Sequence, residues 1–492
     1  MKIKNIAFMS FSLLILVFLS SYSHKKTNYL QTCWNKQVNS LAQNSVKFRY
    51  DEKLNELEHS FKPWQQTNYS GQGTVWYTQT NFHKRDTLNN LSNNRKYYST
   101  TQYLKNELLF LDYGDKTLFS VTKKMNNDFI FKTARYSPIL LIEYFYKNKV
   151  ELSKESTNEF AVYKTDINNS IVKLYINKNN NILSKVSILS DDELFGDLLT
   201  NYLYDENINI DSFIYSKSIT IEKNGGKIID KVNILDAKII TQSPSLIERP
   251  VDYSLKEDLN ITPKIITEKF NDNINFIELT HTESKSLVVE FKDFLFVSEA
   301  PLNSKNGELI INETKKISSN KPIKYFSFSH YHPHPLGGVR PFIQNGAKII
   351  CTDTNEEYLM YIAKSNHSIN PDSLYLKPKP VLTEIIKDSL VVSDGNYEMK
   401  IFLIGQKSDH TIDFLIYYFP KEKILFESDL VWIPKEGSVG KAGSRQMGLY
   451  NAIKELKLDV KTIVQSWPTE GYGIKTTIPF EDLEKSVNLK KQ

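Results

Sequence analysis

The stretch Ser329-His330-Tyr331-His332-Pro333-His334-Pro335-Leu336-Gly337-Gly338 constrains the fold of this chain more than any other. It follows Ile323 to Phe328, a β-branched and aromatic run that reads as a buried strand. The chain holds nine histidines, and three of them sit here at alternate positions. Histidines at i and i+2 lie on one side of an extended segment. A loop mounted on a buried strand is a common seat for metal-ligating or catalytic groups. The glycines beyond allow a tight turn and a close approach of backbone. A solvated His/Pro loop is the bland alternative, and the concentration of histidine in so few residues favours metal or catalytic use.

At 492 residues the chain exceeds one ordinary core, so two domains are expected. Apolar residues make up 40% and charged residues 24%, the balance of a folded soluble protein. The net charge of +5 is spread over single lysines among Asn, Asp and Glu. No basic stripe is interleaved with aromatics, so no nucleic-acid partner is expected.

Met1 to Asn5 is a short basic stretch and Ile6 to Leu19 an uncharged apolar run. Ser20-Ser21-Tyr22-Ser23 then offers small residues for cleavage. This is the layout of a secretory signal peptide over residues 1–23, so export to the periplasm or outside the cell is expected. The apolar run is short for a membrane span. Left uncleaved, it would keep the protein beside a membrane. Cys33 lies too far along to carry a lipid. The two cysteines, Cys33 and Cys351, are far apart in the chain and read as free thiols, with Cys351 a small core residue.

Residues 34–62 carry a spaced apolar pattern (Val38, Leu41, Ala42, Val46) that suits a helix. From Gly71 alternating segments follow at short spacing, with a helix over Pro138 to Tyr146. Two hairpins stand out. Ile171 to Ile176 turns through an Asn-rich loop into Leu183 to Leu189, and Ser218 to Glu222 turns through Asn224-Gly225-Gly226 into Ile228 to Ile234. Residues 24–245 are therefore expected to form an N-terminal, mostly antiparallel β accessory domain without a titratable cluster suited to chemistry. A polar stretch with Pro244, Pro250 and Pro263 follows, and the linker is placed at 246–264. Residues 265–492 alternate strands and helices, which makes the whole chain α+β.

Within this second region the residues resemble the metallo-β-lactamase fold superfamily, an αββα sandwich with metal sites at one edge. The family's His-x-His-x-Asp-His-x-Gly-Gly motif is matched by His330, His332, Gly337 and Gly338, with His334 in the Asp place and Pro335 in the second His place. Gln406 to Thr411 before a Tyr-Phe-Pro hairpin matches the next element, with His410 as the ligand. Phe426-Glu427-Ser428-Asp429 supplies Asp429 where the family has a bridging Asp. Ile463 to Pro468 lacks the terminal His, and Trp467 stands near its place. Glu299 falls where the family has a structural Asp. More faintly, the first half resembles lipoprotein-carrier β half-barrels, through Asn181 to Val186, Asp192 to Asp197 and Thr200 to Tyr204.

The resemblance implies one metal, most simply Zn²⁺, held by His330, His332 and His410, with Asp429 as a ligand or an orienting group. His334 is a fourth ligand or a proton relay. The second metal site is lost. Two functions stay open. One is an exported hydrolase that uses a metal-bound hydroxide on an ester, lactone or amide of a small-molecule substrate. The other is an inactive member of the fold that binds a ligand or partner at the cell envelope. Arg340 and Lys441 read as solvated charge, with an anion-binding role as the alternative. Ser438-Val439-Gly440-Lys441 matches the serine β-lactamase Ser-x-x-Lys spacing only by chance.

Overall fold

The computed structural model describes residues 28–489 apart from 42, 58–59, 105–106, 122–128, 242–243, 245, 258–261 and 470. The expected signal peptide and Ala42 lie outside them. Among the described residues the chain is mixed α and β with strands predominating, and the strands fall into three sheets.

The first half is built on a thirteen-stranded sheet. The strand Ser45–Glu56 stands inside it, between Thr67–Tyr77 and Ile228–Ile240. Here the expected helix over 34–62 is corrected. An α-helix covers Tyr29–Gln37, and a single 3-10 turn follows at Asn39–Leu41. Val46, Phe48 and Tyr50 are alternate inward residues of a strand, all fully buried. The helical reading gave weight to the wide spacing of Val38, Leu41 and Val46, whereas hydrogen-bonded partners on both edges decide for a strand.

The inner face packs on the helices Tyr29–Gln37 and Ile139–Lys147 in one core. Trp34 stacks on Tyr146 with centroids 4.0 Å apart, and its indole N–H donates to Glu143. Both expected hairpins form, and Asn224, Gly225 and Gly226 take φ of 48°, 64° and 84°. A buried ionic cluster that the sequence does not disclose sits at this core. Arg135 lies between Glu52 and Asp230, and Lys223 is 3.1 Å from Asp230. Ser254–Glu257, inside the stretch read as a linker, pairs in parallel with Thr117–Val121 at the sheet edge.

The second half holds a seven-stranded and a six-stranded sheet. One core lies between them, with Phe276, Leu287 and Phe296 from one sheet and Met399, Ile401 and Phe426 from the other. The outer face of the seven-stranded sheet packs on the helices Ser304–Ile317, Val339–Asn345 and Asp353–Lys364 through Ile310, Phe342 and Leu359. The outer face of the six-stranded sheet packs on Ser444–Glu455 and Phe480–Asn488 through Leu449, Ile453 and Leu483. The layers of this half thus run helix, sheet, sheet, helix. Each buried Leu, Ile or Phe contributes about 1.5–3 kcal/mol, so the three apolar cores dominate the cohesion of the layers. The helix expected from Leu309 begins earlier, at Ser304, because the Asn303 side chain accepts from Asn306 N and caps it.

Cys33 and Cys351 are both free and buried, and burial pushes each thiol up to about 12. Among the described residues no helix is long and apolar enough to cross a membrane.

Candidate metal centre

The strand Ile323–Ser327 leads into a bend at Ser329–His332, and Pro333 then opens a one-turn helix, Pro333–Leu336. Proline suits that first helical position, where its missing N–H leaves no bond unmade. The bend keeps His330 and His332 together, and the helix carries His334 away from them. The two glycines are explained by close approach. A Cβ on Gly337 would lie 2.3 Å from the Leu302 carbonyl carbon, and one on Gly338 would lie 2.8 Å from Ala300 Cβ. Their φ values of −55° and −89° are ordinary, so packing against the 300–307 segment is what requires glycine here.

His410 comes from the other sheet's side. It follows the short turn Gly405–Ser408, with Asp409 at φ 50°, and its backbone N–H is held by Ser408 Oγ at 3.1 Å. Phe414 stacks on His330 with centroids 5.0 Å apart. The ligating atoms of His330, His332 and His410 all lie within 4.8 Å of one another, and all three residues are buried. His330 Nε2 is 3.1 Å from His332 Nδ1. Nitrogens at about 2.0–2.1 Å from a tetrahedral ion stand about 3.3 Å apart, so the His330–His332 pair is at ligand spacing, and His410 would draw in by a short movement to complete the set.

Asp429 follows the strand Ile424–Glu427. Its Oδ2 is 3.0 Å from His410 Nε2, yet His410 Nε2 and Asp429 Oδ1 are buried without a hydrogen-bond partner. The two groups converge on common space and do not align on each other. A cation there would satisfy both atoms, which are costly if left unmatched. The residues present therefore fit one metal ion.

Burial, reinforced by His332, pushes His330 well below its ordinary value, so its imidazole is neutral and offers a lone pair. Burial raises the Asp429 carboxyl, but the His410 imidazole and the Arg445 guanidinium outweigh it and hold Asp429 well below the usual carboxylate range. Arg445 Nη1 lies 3.2 Å from Asp429 Oδ2. Behind them, Glu299 accepts from Ser329 N at 2.9 Å, and burial lifts its carboxyl to about 8. Glu427 is raised by burial and by Asp429.

His334 is not among the three converging imidazoles. Its ring packs against Trp467 at 5.2 Å, and its Nδ1 is 3.3 Å from Ser284 Oγ. It does line the same cavity, of ≈ 240 Å³, together with Trp432, Arg445 and Trp467. Trp432, Trp467 and Tyr472 contact one another and form an aromatic wall.

Arg340 is neither solvated nor a substrate group. It is 2% exposed and bonds to Asp372 through Nε and Nη2, at 2.6 and 3.0 Å. Lys441 and Ser438 are exposed and outside the cavity lining. Pro335 is buried, with its carbonyl accepting from Ala300 N. His83 and His281 lie apart from the centre, beside Gln102 and Asn306, and His59 lies outside the described residues. Arg445 and Trp432 went unnoticed in the sequence, where they read as one more charge and one more aromatic. A larger depression, ≈ 670 Å³, lies on the first sheet around Arg49, Arg85 and Tyr98, without a converging set of ligands.

No family model matches the chain, and no curated protein matches it. Solved structures do. The DIM-1 metallo-β-lactamase is 18% identical with a TM-score of 0.34, covering 46% of this chain and 95% of its own. The metallo-β-lactamase from Pontibacter korlensis is 16% identical at the same score, over 46% and 97%. FIM-1 from Pseudomonas aeruginosa, in its mono-zinc form, is 18% identical at 0.34, over 45% and 92%. A likeness at this level fixes neither activity nor ligands. The resemblance of the first half to lipoprotein carriers finds no support among these matches.

Proposed function

We propose that this protein is an exported metal-dependent hydrolase acting on an ester, lactone or amide at the centre formed by His330, His332 and His410. The observation that supports this reading is the convergence of three buried imidazoles beside the buried Asp429 carboxylate, whose Oδ1 has no hydrogen-bond partner. Three nitrogen ligands with an open position suit zinc better than a harder ion. When bound, such an ion supplies a Lewis acid for activating water and polarising a carbonyl.

The chain's own residues do the rest. Asp429, kept ionised, accepts a hydrogen bond beside the open position and orients what sits there. Arg445 holds that charge and presents a cation to the substrate. Trp432 and Trp467 exclude water from the reacting bond. His334, across the cavity against Trp467, is placed to pass a proton to the leaving group. The second reading is a binding protein without turnover. It is favoured by Pro335 and Trp467, which cannot ligate, standing where the family resemblance puts second-metal ligands.

Elemental analysis of the purified protein, beside a His330→Ala/His410→Ala double variant, tests the proposal. The expected result is about one equivalent of zinc in the native protein and none in the variant, with turnover in an ester and lactone screen. No metal after zinc is supplied would sink the hydrolase reading.

A further inference from the structure

Residues 57–66 join Ser45–Glu56 to Thr67–Tyr77, two paired strands of the first half. Its described residues 60–66 leave their own sheet, and Ser60 and Phe61 lie on the histidine loop and the His410 turn of the second half. Ser60 O is 3.0 Å from His332 Nε2 and accepts from the Tyr331 hydroxyl at 2.6 Å. The Tyr331 hydroxyl is also 2.7 Å from Ser60 Oγ, and Ser60 Oγ donates to Leu57 O at 2.8 Å. Phe61 O accepts from Ile412 N at 2.9 Å, two residues beyond His410. Trp64 donates to Glu357 at 2.8 Å and packs edge-on against Tyr358 and Tyr361 of the helix Asp353–Lys364. Ser60, Tyr331 and His332 are all buried.

We infer that this loop is part of the metal centre, and that the Ser60 carbonyl is a positioning group that fixes the tautomer and ring orientation of His332. The inference rests on the metal reading above and assigns the first half a role in it. A carbonyl oxygen only accepts, so the bond to Ser60 O requires a proton on His332 Nε2. A neutral imidazole then carries its lone pair on Nδ1, the nitrogen that faces His330 Nε2. That is the tautomer a cation needs, and the carbonyl favours it by accepting from Nε2. Partners of this kind on the far nitrogen of a ligating histidine typically change metal affinity by about 10–100-fold when lost. The Tyr331 hydroxyl and the Trp64 anchor hold the carbonyl in place from two sides, one on each half of the chain.

The test uses the full chain and three variants. Tyr331→Phe removes the hydroxyl that braces Ser60, and Trp64→Ala removes the distant anchor. Replacing Phe61 by its α-hydroxy acid turns the Ser60 carbonyl into an ester, a weaker acceptor of unchanged shape. Imidazole ¹⁵N spectra of the metal-free native protein should show His332 protonated on Nε2, and the variants should show mixed tautomers. Cobalt titration should give affinities about 10–100-fold weaker in the variants.

A native His332 protonated on Nδ1, or cobalt affinities in the Tyr331→Phe and ester variants within about twofold of native, would overturn the inference. If Trp64→Ala does not fold, Tyr331→Phe and the ester variant decide. A native protein that takes up neither cobalt nor zinc would sink the metal reading itself, while the spectra would still decide what Ser60 does.

Discussion

At the scale of single residues, the centre divides histidines by what each nitrogen meets. His330 and His332 face each other at 3.1 Å, with Ser329 Oγ and Ser60 O on their far sides, whereas His334 meets Ser284 and Trp467. His334→Ala should therefore keep its metal, with cobalt affinity within about threefold of native, and His410→Ala should lose about two orders of magnitude or more. Elemental analysis and cobalt titration check both, and loss of metal in His334→Ala would make it a ligand. His330 and His332 were visible in the sequence because three of the few histidines cluster just before a glycine pair, whereas His410 and Asp429 were reached only through the family resemblance. Ser60 was not visible, because a backbone carbonyl has no residue signature. Nor was the fate of Arg340, since its charge on a short helix looks the same whether the partner is water or Asp372.

At the scale of elements, the alternating and hairpin segments were legible and the first strand was not. Val38 to Val46 spans a helix end, a turn and a strand start, and its apolar spacing carries parts of both periods. Helix anchoring was equally hidden. Arg340, on Val339–Asn345, reaches Asp372 and the Ile362 and Ala363 carbonyls at the end of Asp353–Lys364. Asp372→Ala should cost about 3–5 kcal/mol in chemical denaturation, because it leaves a buried guanidinium without its counter-charge. The pair also sets an acid limit. Burial raises the Asp372 carboxyl, but Arg340 and the Tyr375 N–H outweigh it and bring it down to about 2, against about 3.9 unfolded. The unfolded chain therefore binds the proton first as pH falls. This stabilisation is complete above about pH 4 and is lost as pH drops toward 2. Denaturation measured across that window should show the loss in the native protein and a flatter profile in Asp372→Asn.

At the scale of the whole molecule, composition separates an antiparallel first half from a mixed second half, but no sequence pattern announces how they dock. Docking depends on pairs from 169 to 293 residues apart in the chain. The turn after Leu183–Asp192 buries Leu194 in the second half's helix-side core, and Asp197 gathers the 366–369 loop. Its carboxylate accepts from Asn366 Nδ2 and Ser368 Oγ, each at 2.6 Å, and from the Ser368 and Ile369 N–H groups, each at 3.1 Å. Gly196, at φ 69°, lets the backbones meet, since a Cβ there would lie 2.3 Å from Asn366 O. Four bonds to one charged group outweigh a single neutral one, yet each has a water-bonded alternative when the loop opens. Their net worth is therefore about 1–3 kcal/mol. Asp197→Ala should raise amide hydrogen exchange at 366–369 by about tenfold to a hundredfold, the same energy read as an opening equilibrium. Metal uptake should not change, because the loop over His332 is anchored separately by Trp64 and Tyr331. Unchanged exchange would shift the docking energy onto Leu194 and Trp64. Loss of metal uptake would mean that the two contacts open as one unit, so that the first half holds the centre closed through both.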